Sequence, residues 1–356
     1  MQVVVAASGP TVLRWDLDKT YLISHFESLR GLLRVPFERG EDKVAVPGVA
    51  ALIQELHRVA AGRKRPMRVY FLSASPPQIG NAIRDKLALD GIEYDGITFK
   101  DQVHHIVRGR FDAVREQIGY KLEQLLHSAR ELEEGATELL FGDDWESDPF
   151  VYSLYADIVA GRVRADALPP LLERAEVHHT YVERILELAE LPHAGSRVAG
   201  IYILRQRRVS QNELEVFGRR RLVGFDNYFE CALRLAADGL LDTYGVSRVA
   251  SELDGDPGRL ADSFDAMVGR GVLSAAWVAR ERRALVRAGL MRPVAGGNLL
   301  ARTLAATRRA IGLPPRRRAR LERVPDYPSL VAKWSYKGRK EAADGDSESV
   351  GRVDDD

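Results

Sequence analysis

A chain of 356 residues with 45% hydrophobic content is long enough for two globular domains and has the composition of a soluble protein. Its formal net charge of +1 supplies no global field to select nucleic acid or membrane, and its single cysteine, Cys231, excludes an intramolecular disulfide and fits a reducing cytosol. The opening MQVVVAASGP has no basic segment before its short apolar run, and no stretch reaches the roughly 18 apolar residues of a membrane span, so neither a signal peptide nor a transmembrane segment is expected and the predicted compartment is the cytoplasm.

Along the chain, TVLRWDLDKT opens with a first predicted strand, about 12–17, that delivers Asp16, Asp18 and Thr20. The segment 21–38 reads as a helix and flap. PGVAALIQELHRVA then sets Leu52, Ile53, Leu56 and Val59 on one helical face, with Pro47 in the first turn. Past the basic loop GRKRP, a second strand over 68–72 delivers Ser73 in VYFLSASP. A helix over 77–89, a turn at Asp90-Gly91 and a third strand over 96–99 follow. Lys121, in GYKLEQLL, falls at or near the start of a long helix closed by Gly135. A fourth strand over 137–141 runs into ELLFGDDWESDP, with Asp143, Asp144 and Asp148. A helical insertion, about 162–196, carries Leu171, Leu172, Val182, Ile185, Leu186 and Leu188, and a fifth strand covers 198–204. Strands alternating with helices predict an α/β fold, a doubly wound parallel sheet.

Beyond residue 207 the pattern turns helical, and 208–336 reads as an all-helical domain of unknown role in which Tyr228 and Phe229 are core. The basic run at 314–325 (Arg316, Arg317, Arg318, Arg320, Arg323) reads either as a solvated linker or as a magnet for phosphate-bearing surfaces. The acidic end, 337–356, lacks apolar anchors and is expected to be disordered. The predicted organisation is therefore 1–207, 208–336 and a tail.

Four motifs in series, each at a predicted strand end or on an adjacent helix, describe a phosphoryl-transfer site. Carboxyl ends of parallel strands converge on one crevice, where such sheets bind ligands. A carboxylate nucleophile approaching an anionic ester needs a divalent cation between them, and several further carboxylates suit Mg²⁺. Asp16 is the expected nucleophile, forming an aspartyl-phosphate, and Asp18 the general acid and base. Ser73 would donate to a phosphoryl oxygen, and Lys121, with Lys86 and Lys100 as rivals, would neutralise charge on nucleophile and phosphoryl group. Asp16, Asp18, Asp143, Asp144 and Asp148 form the candidate metal set; Asp144 and Asp148 compete for the second acidic role. Because the DxD pair comes first and an acidic cluster comes last, the order differs from that of response-regulator receivers and favours an enzyme.

DLDKT, strand-terminal Ser73, Lys121 and GDD-x-x-x-D resemble the four motifs of the haloacid-dehalogenase-like phosphatase superfamily. FLSASP, GDDWESDPFVY and VAGIYIL narrow the resemblance to the actin-patch-type phosphatidate phosphatases, over roughly residues 11–207. The chain departs from that family at Lys19, where a third acidic residue is usual, and in about forty residues between the Tyr152 helix and the closing strand. The resemblance implies a Rossmann-like core and phosphatidate or another phospholipid as substrate, met peripherally at a membrane surface. Neither inter-motif gap has room for a large cap domain. A polynucleotide or phosphoprotein phosphatase, and a noncatalytic scaffold with a relic fold, are the alternatives; the residues leave oligomeric state open.

Overall fold

The computed structural model describes residues 9–23, 43–75, 77–100, 110–190, 197–207, 209–218, 221–253, 257–289 and 323–334. The expected flap beyond residue 23, the arginines Arg316, Arg317, Arg318 and Arg320, and the acidic tail lie outside the described residues.

Among the described residues, six parallel strands, β1 (Thr11–Asp16), β2 (Met67–Ser73), β3 (Gly96–Phe99), β4 (Thr137–Asp143), β5 (Arg197–Leu204) and β6 (Leu222–Phe225), form one sheet in the order β3-β2-β1-β4-β5-β6. Every residue of β1 and β4 is buried. They read as continuous apolar runs because helices cover both faces of the sheet. The order reverses between β1 and β4, and the crevice for a ligand in such a sheet lies at that switch point. Asp16 and Asp143 are the last residues of those two strands.

The helices among the described residues are α1 (Val49–Gly62), α2 (Gly80–Leu89), α3 (Arg110–Ala129), α4 (Asp148–Val159), α5 (Pro169–Arg174), α6 (His179–Glu190), α7 (Gln211–Leu214), α8 (Tyr228–Ala237), α9 (Thr243–Ser251), α10 (Pro257–Gly269), α11 (Ala275–Arg287) and α12 (Tyr327–Trp334). Strand alternation sorts them between the two faces. Leu13, Trp15, Phe71, Leu139, Phe141 and Tyr202 point to one face and pack with α1, α2 and α8 to α11. Leu72, Leu140, Ile201 and Ile203 point to the other and pack with α3 to α6 and α12. Register sets Phe71, Trp15, Phe141 and Tyr202 side by side across four strands. Trp15 stacks on Phe141 with centroids 3.8 Å apart, and Phe141 on Tyr202 at 4.9 Å. Truncating such a ring to alanine costs about 3–5 kcal/mol, so this row strongly fixes the strand ends that carry the acids.

Residues 290–322 lie outside the described residues. Over 211–289 helices are present as expected, together with one strand, β6, that the sequence reading does not contain. Its four residues, LVGF, are too few for a visible alternation, and they gain order by pairing with β5. The boundary expected at 207 thus falls between two strands of one sheet. Tyr228 and Phe229 are buried as expected, in the same cluster as β1 and α1. The segment at α12 is tied down by Tyr327, whose hydroxyl donates to buried Asp157, itself paired with Arg162 and Arg221.

Two local expectations change. Pro47 lies in the turn before α1 rather than inside it. Lys121 sits past the midpoint of α3, which ends at Ala129, six residues before Gly135. Gly119 lies within α3 for a packing reason. A Cβ there would come within 2.7 Å of Val177 and 3.0 Å of Tyr181, so the glycine lets α6 approach.

Candidate active site

Three carboxylates converge at the switch point: Asp16 from the end of β1, Asp143 from the end of β4, and Asp148 from the first turn of α4, with oxygens within 4.8 Å of one another. All three are buried. Lys121 reaches in from α3, its Nζ 2.7 Å from Asp16 Oδ1, 2.7 Å from Glu146 Oε2 and 2.6 Å from Asp148 Oδ1. Of its rivals, Lys86 pairs with Asp90, while Lys100 is buried beside Ser73, donating its backbone N–H to the Ser73 and Ser75 carbonyls.

Backbone geometry holds the acids. Asp143 Oδ1 accepts from the N–H groups of Trp145 and Glu146, at 2.6 and 2.9 Å, and Oδ2 accepts from the Thr20 hydroxyl at 3.3 Å. Asp148 Oδ2 accepts from the Asp143 N–H at 3.2 Å. Tyr228, far away in sequence, donates its hydroxyl to the Thr20 carbonyl at 2.7 Å and so braces the loop after β1 from α8.

Asp18 stands beside this group. Its Oδ2 accepts from the hydroxyls of Ser75 at 2.7 Å and Ser73 at 3.1 Å. Ser73, expected to address a phosphoryl oxygen, therefore donates to Asp18 here. Asp144 turns away from the cluster: its carboxylate accepts from the N–H groups of Arg207 at 2.8 Å and Val209 at 3.1 Å, fastening the loop after β5. Between the two competitors, Asp148 is the one beside Lys121. Glu146 and Ser75 were not singled out in the sequence. Their signals were present, an acid between Asp144 and Asp148 and a second serine two residues after Ser73.

Electrostatics make the cluster costly on its own. Burial pushes the Asp16 carboxyl well up; Lys121 opposes this, and Asp148, Glu146 and Asp143 add to it. Burial likewise raises Asp143, with Glu146 and Asp148 adding to the shift. Burial works against the Lys121 ammonium, but Asp148, Asp16 and Glu146 outweigh it and hold the group charged. Four carboxylates thus face one ammonium, and buried charges of one sign are tolerated only when paired. Asp16 Oδ2 is buried with no hydrogen-bond partner among the described residues. An orphaned carboxylate oxygen beside further carboxylates fits a hard divalent cation that takes oxygen ligands.

Gly142 makes this packing possible. A Cβ on it would lie 2.3 Å from Asp148 Oδ2 and 2.7 Å from Asp148 Cβ, so the start of α4 would have to move. Gly142→Ala is expected to cost about 1–3 kcal/mol by overpacking and to separate Asp148 from Lys121. Urea denaturation checks the first effect; wild-type stability would show that α4 yields freely.

Residues 15–167 match the family "Phosphatidate phosphatase APP1, catalytic domain". No curated protein and no solved structure matches the chain. The matched segment contains all of the buried cluster, Asp16, Lys121, Asp143, Glu146 and Asp148, and also Asp18, Ser73 and Asp144. Over residues 15–167, this chain is similar to a phosphatase family, the phosphatidate phosphatase APP1 catalytic domain.

Proposed function

We propose that the chain is a Mg²⁺-dependent phosphomonoester hydrolase of the haloacid-dehalogenase type, acting on phosphatidate or another phospholipid through an aspartyl-phosphate. The observation that carries this reading is the buried, unpartnered Oδ2 of Asp16, next to Asp143 and Asp148 and with Oδ1 held by Lys121. Bound Mg²⁺, held by Asp16 and Asp143 with Asp148 behind them, would screen the charge between carboxylate and phosphate. Asp16 attacks phosphorus, the phosphorus–oxygen bond to the alcohol breaks, and Asp18 gives its proton to the departing alkoxide. Asp18 then takes a proton from water, which attacks the aspartyl-phosphate and releases inorganic phosphate with Asp16 restored. Lys121 stays charged throughout and stabilises the spread of negative charge.

Screening the purified protein on phosphate esters tests the assignment. Phosphatidate vesicles should be hydrolysed best, and phosphorylated oligonucleotides or phosphopeptides being preferred would replace the lipid reading. Hydrolysis of none of them would remove the phosphatase assignment. Asp18 needs its two serine donors to stay aimed. Hydrogen bonds to charged groups contribute about 1.5–3 kcal/mol, so Ser75→Ala is expected to lower kcat about tenfold. The loss should be larger for esters with poor leaving groups, which depend on the general acid, than for p-nitrophenyl phosphate. An equal loss on both would show that Ser75 supports only the fold.

A further inference from the structure

Above the buried acids, three loops at the ends of β1, β4 and β5 meet at one half-exposed aromatic ring. Trp145, 38% exposed, follows Asp144 directly. The Lys19 Nζ lies 4.3 Å from the centre of its ring, and the Arg207 guanidinium carbon 5.1 Å from it. Each cation is held through its backbone. Lys19 adopts φ 63°, a left-handed conformation uncommon for a long side chain. Its N–H donates to the Leu22 carbonyl at 2.8 Å, and its carbonyl accepts from Gln206 Nε2 at 2.5 Å. The Arg207 N–H donates to Asp144 Oδ1 at 2.8 Å. Asp144 is thus used to place Arg207 at the rim.

Charge distinguishes this rim from the site beneath. Lys121 is engaged by three carboxylates, so its charge is already matched. Among the described residues, Lys19 and Arg207 have the Trp145 ring as their side-chain neighbour and no carboxylate ion partner. An aromatic face positions a cation without cancelling it. The rim therefore presents two cationic side chains beside a cluster whose own balance is negative. A substrate carrying negative charge beyond the reacting phosphoryl group would be repelled by the pocket alone and attracted by the rim. The guanidinium plane suits phosphate or carboxylate oxygens, and the ammonium serves as a point charge.

We propose that Lys19 and Arg207, mounted on Trp145, form a specificity rim that binds a negative charge next to the ester but separate from the phosphoryl group transferred. The inference rests on the phosphomonoesterase reading of the site below. The charge has two possible sources with one chemistry: a second phosphate or carboxylate on the substrate molecule, or anionic headgroups surrounding it in a lipid surface.

The test compares wild type with Lys19→Gln, Arg207→Gln and the double variant, each confirmed folded by its Tm. One arm measures kcat/KM on a soluble sugar bisphosphate and on the matching monophosphate. The other uses phosphatidate in phosphatidylcholine vesicles with and without phosphatidylglycerol. The double variant is expected to lose about tenfold of the preference for the more anionic member in one arm, through KM and most at low salt, where screening is least. The first arm responding identifies charge on the substrate itself; the second identifies neighbouring lipids. Lys19→Arg should restore the preference, which a purely structural role would not. Equal losses on every substrate, or an unchanged preference in both arms, overturns the rim. If wild type hydrolyses nothing, the phosphatase reading fails separately. Calorimetric binding of inorganic pyrophosphate to Asp16→Asn then still decides the rim: about tenfold weaker binding on adding both rim substitutions supports it, and unchanged affinity overturns it.

Discussion

Asp16→Asn is expected to abolish turnover, by about four orders of magnitude or more, as removal of a catalytic nucleophile does elsewhere. The amide keeps the size of the side chain and its position at the end of β1 but cannot form the aspartyl-phosphate. Its fold should survive, because burial and three neighbouring carboxylates already work against a charge at Asp16. Replacing it with a neutral group relieves repulsion at the expense of one of the three ion partners of Lys121. Rapid quenching with labelled ester should trap phosphate on wild type and none on the variant. Substantial activity in Asp16→Asn, once mass spectrometry has excluded deamidation and the preparation contains no other phosphatase, would refute Asp16 as nucleophile.

The second large effect concerns the cation. Ordinary aspartate carboxyls titrate near about 3.9, and burial first, then the neighbouring acids, raise Asp16 and Asp143 in the folded protein. The folded state therefore holds those protons more tightly than the unfolded chain. Stability of the metal-free protein is greatest below the unfolded value and is lost as pH rises above it. In EDTA the Tm should consequently fall as pH is raised from 5 towards neutrality. Added Mg²⁺ should flatten that fall by matching the ionised carboxylates. At a hundredfold excess over Kd, binding to the folded state alone contributes about 2.7 kcal/mol, a rise of several degrees in Tm. Asp143→Ala should remove most of the Mg²⁺ response. Full activity in excess EDTA, with no Tm response to Mg²⁺, would exclude a metal-dependent mechanism.

The parallel α/β sheet was legible in the sequence because β1, β2 and β4 are apolar runs that each end on a chemical group, and their faces alternate through Trp15, Phe71 and Phe141. The same local patterns placed Asp16, Ser73 and Asp143 at strand ends, since a strand's end is set by its own residues. Lys121 was legible as a candidate, but its selection came from packing: α3 crosses α6 at Gly119, which directs the ammonium onto Asp16, Asp148 and Glu146. Asp144 and Asp148 look equivalent in sequence. Only the three-dimensional course of the chain separates them, turning Asp144 to the loop after β5 and leaving Asp148 under Lys121. The strand β6, the Tyr228 brace on Thr20 and the meeting of Lys19 with Arg207 over Trp145 all join residues far apart along the chain. Local composition determines which segments become strands and which end in acids. Long-range pairing, which depends on how the segments are brought together, decides which acids gather around Lys121 and which cations meet over Trp145.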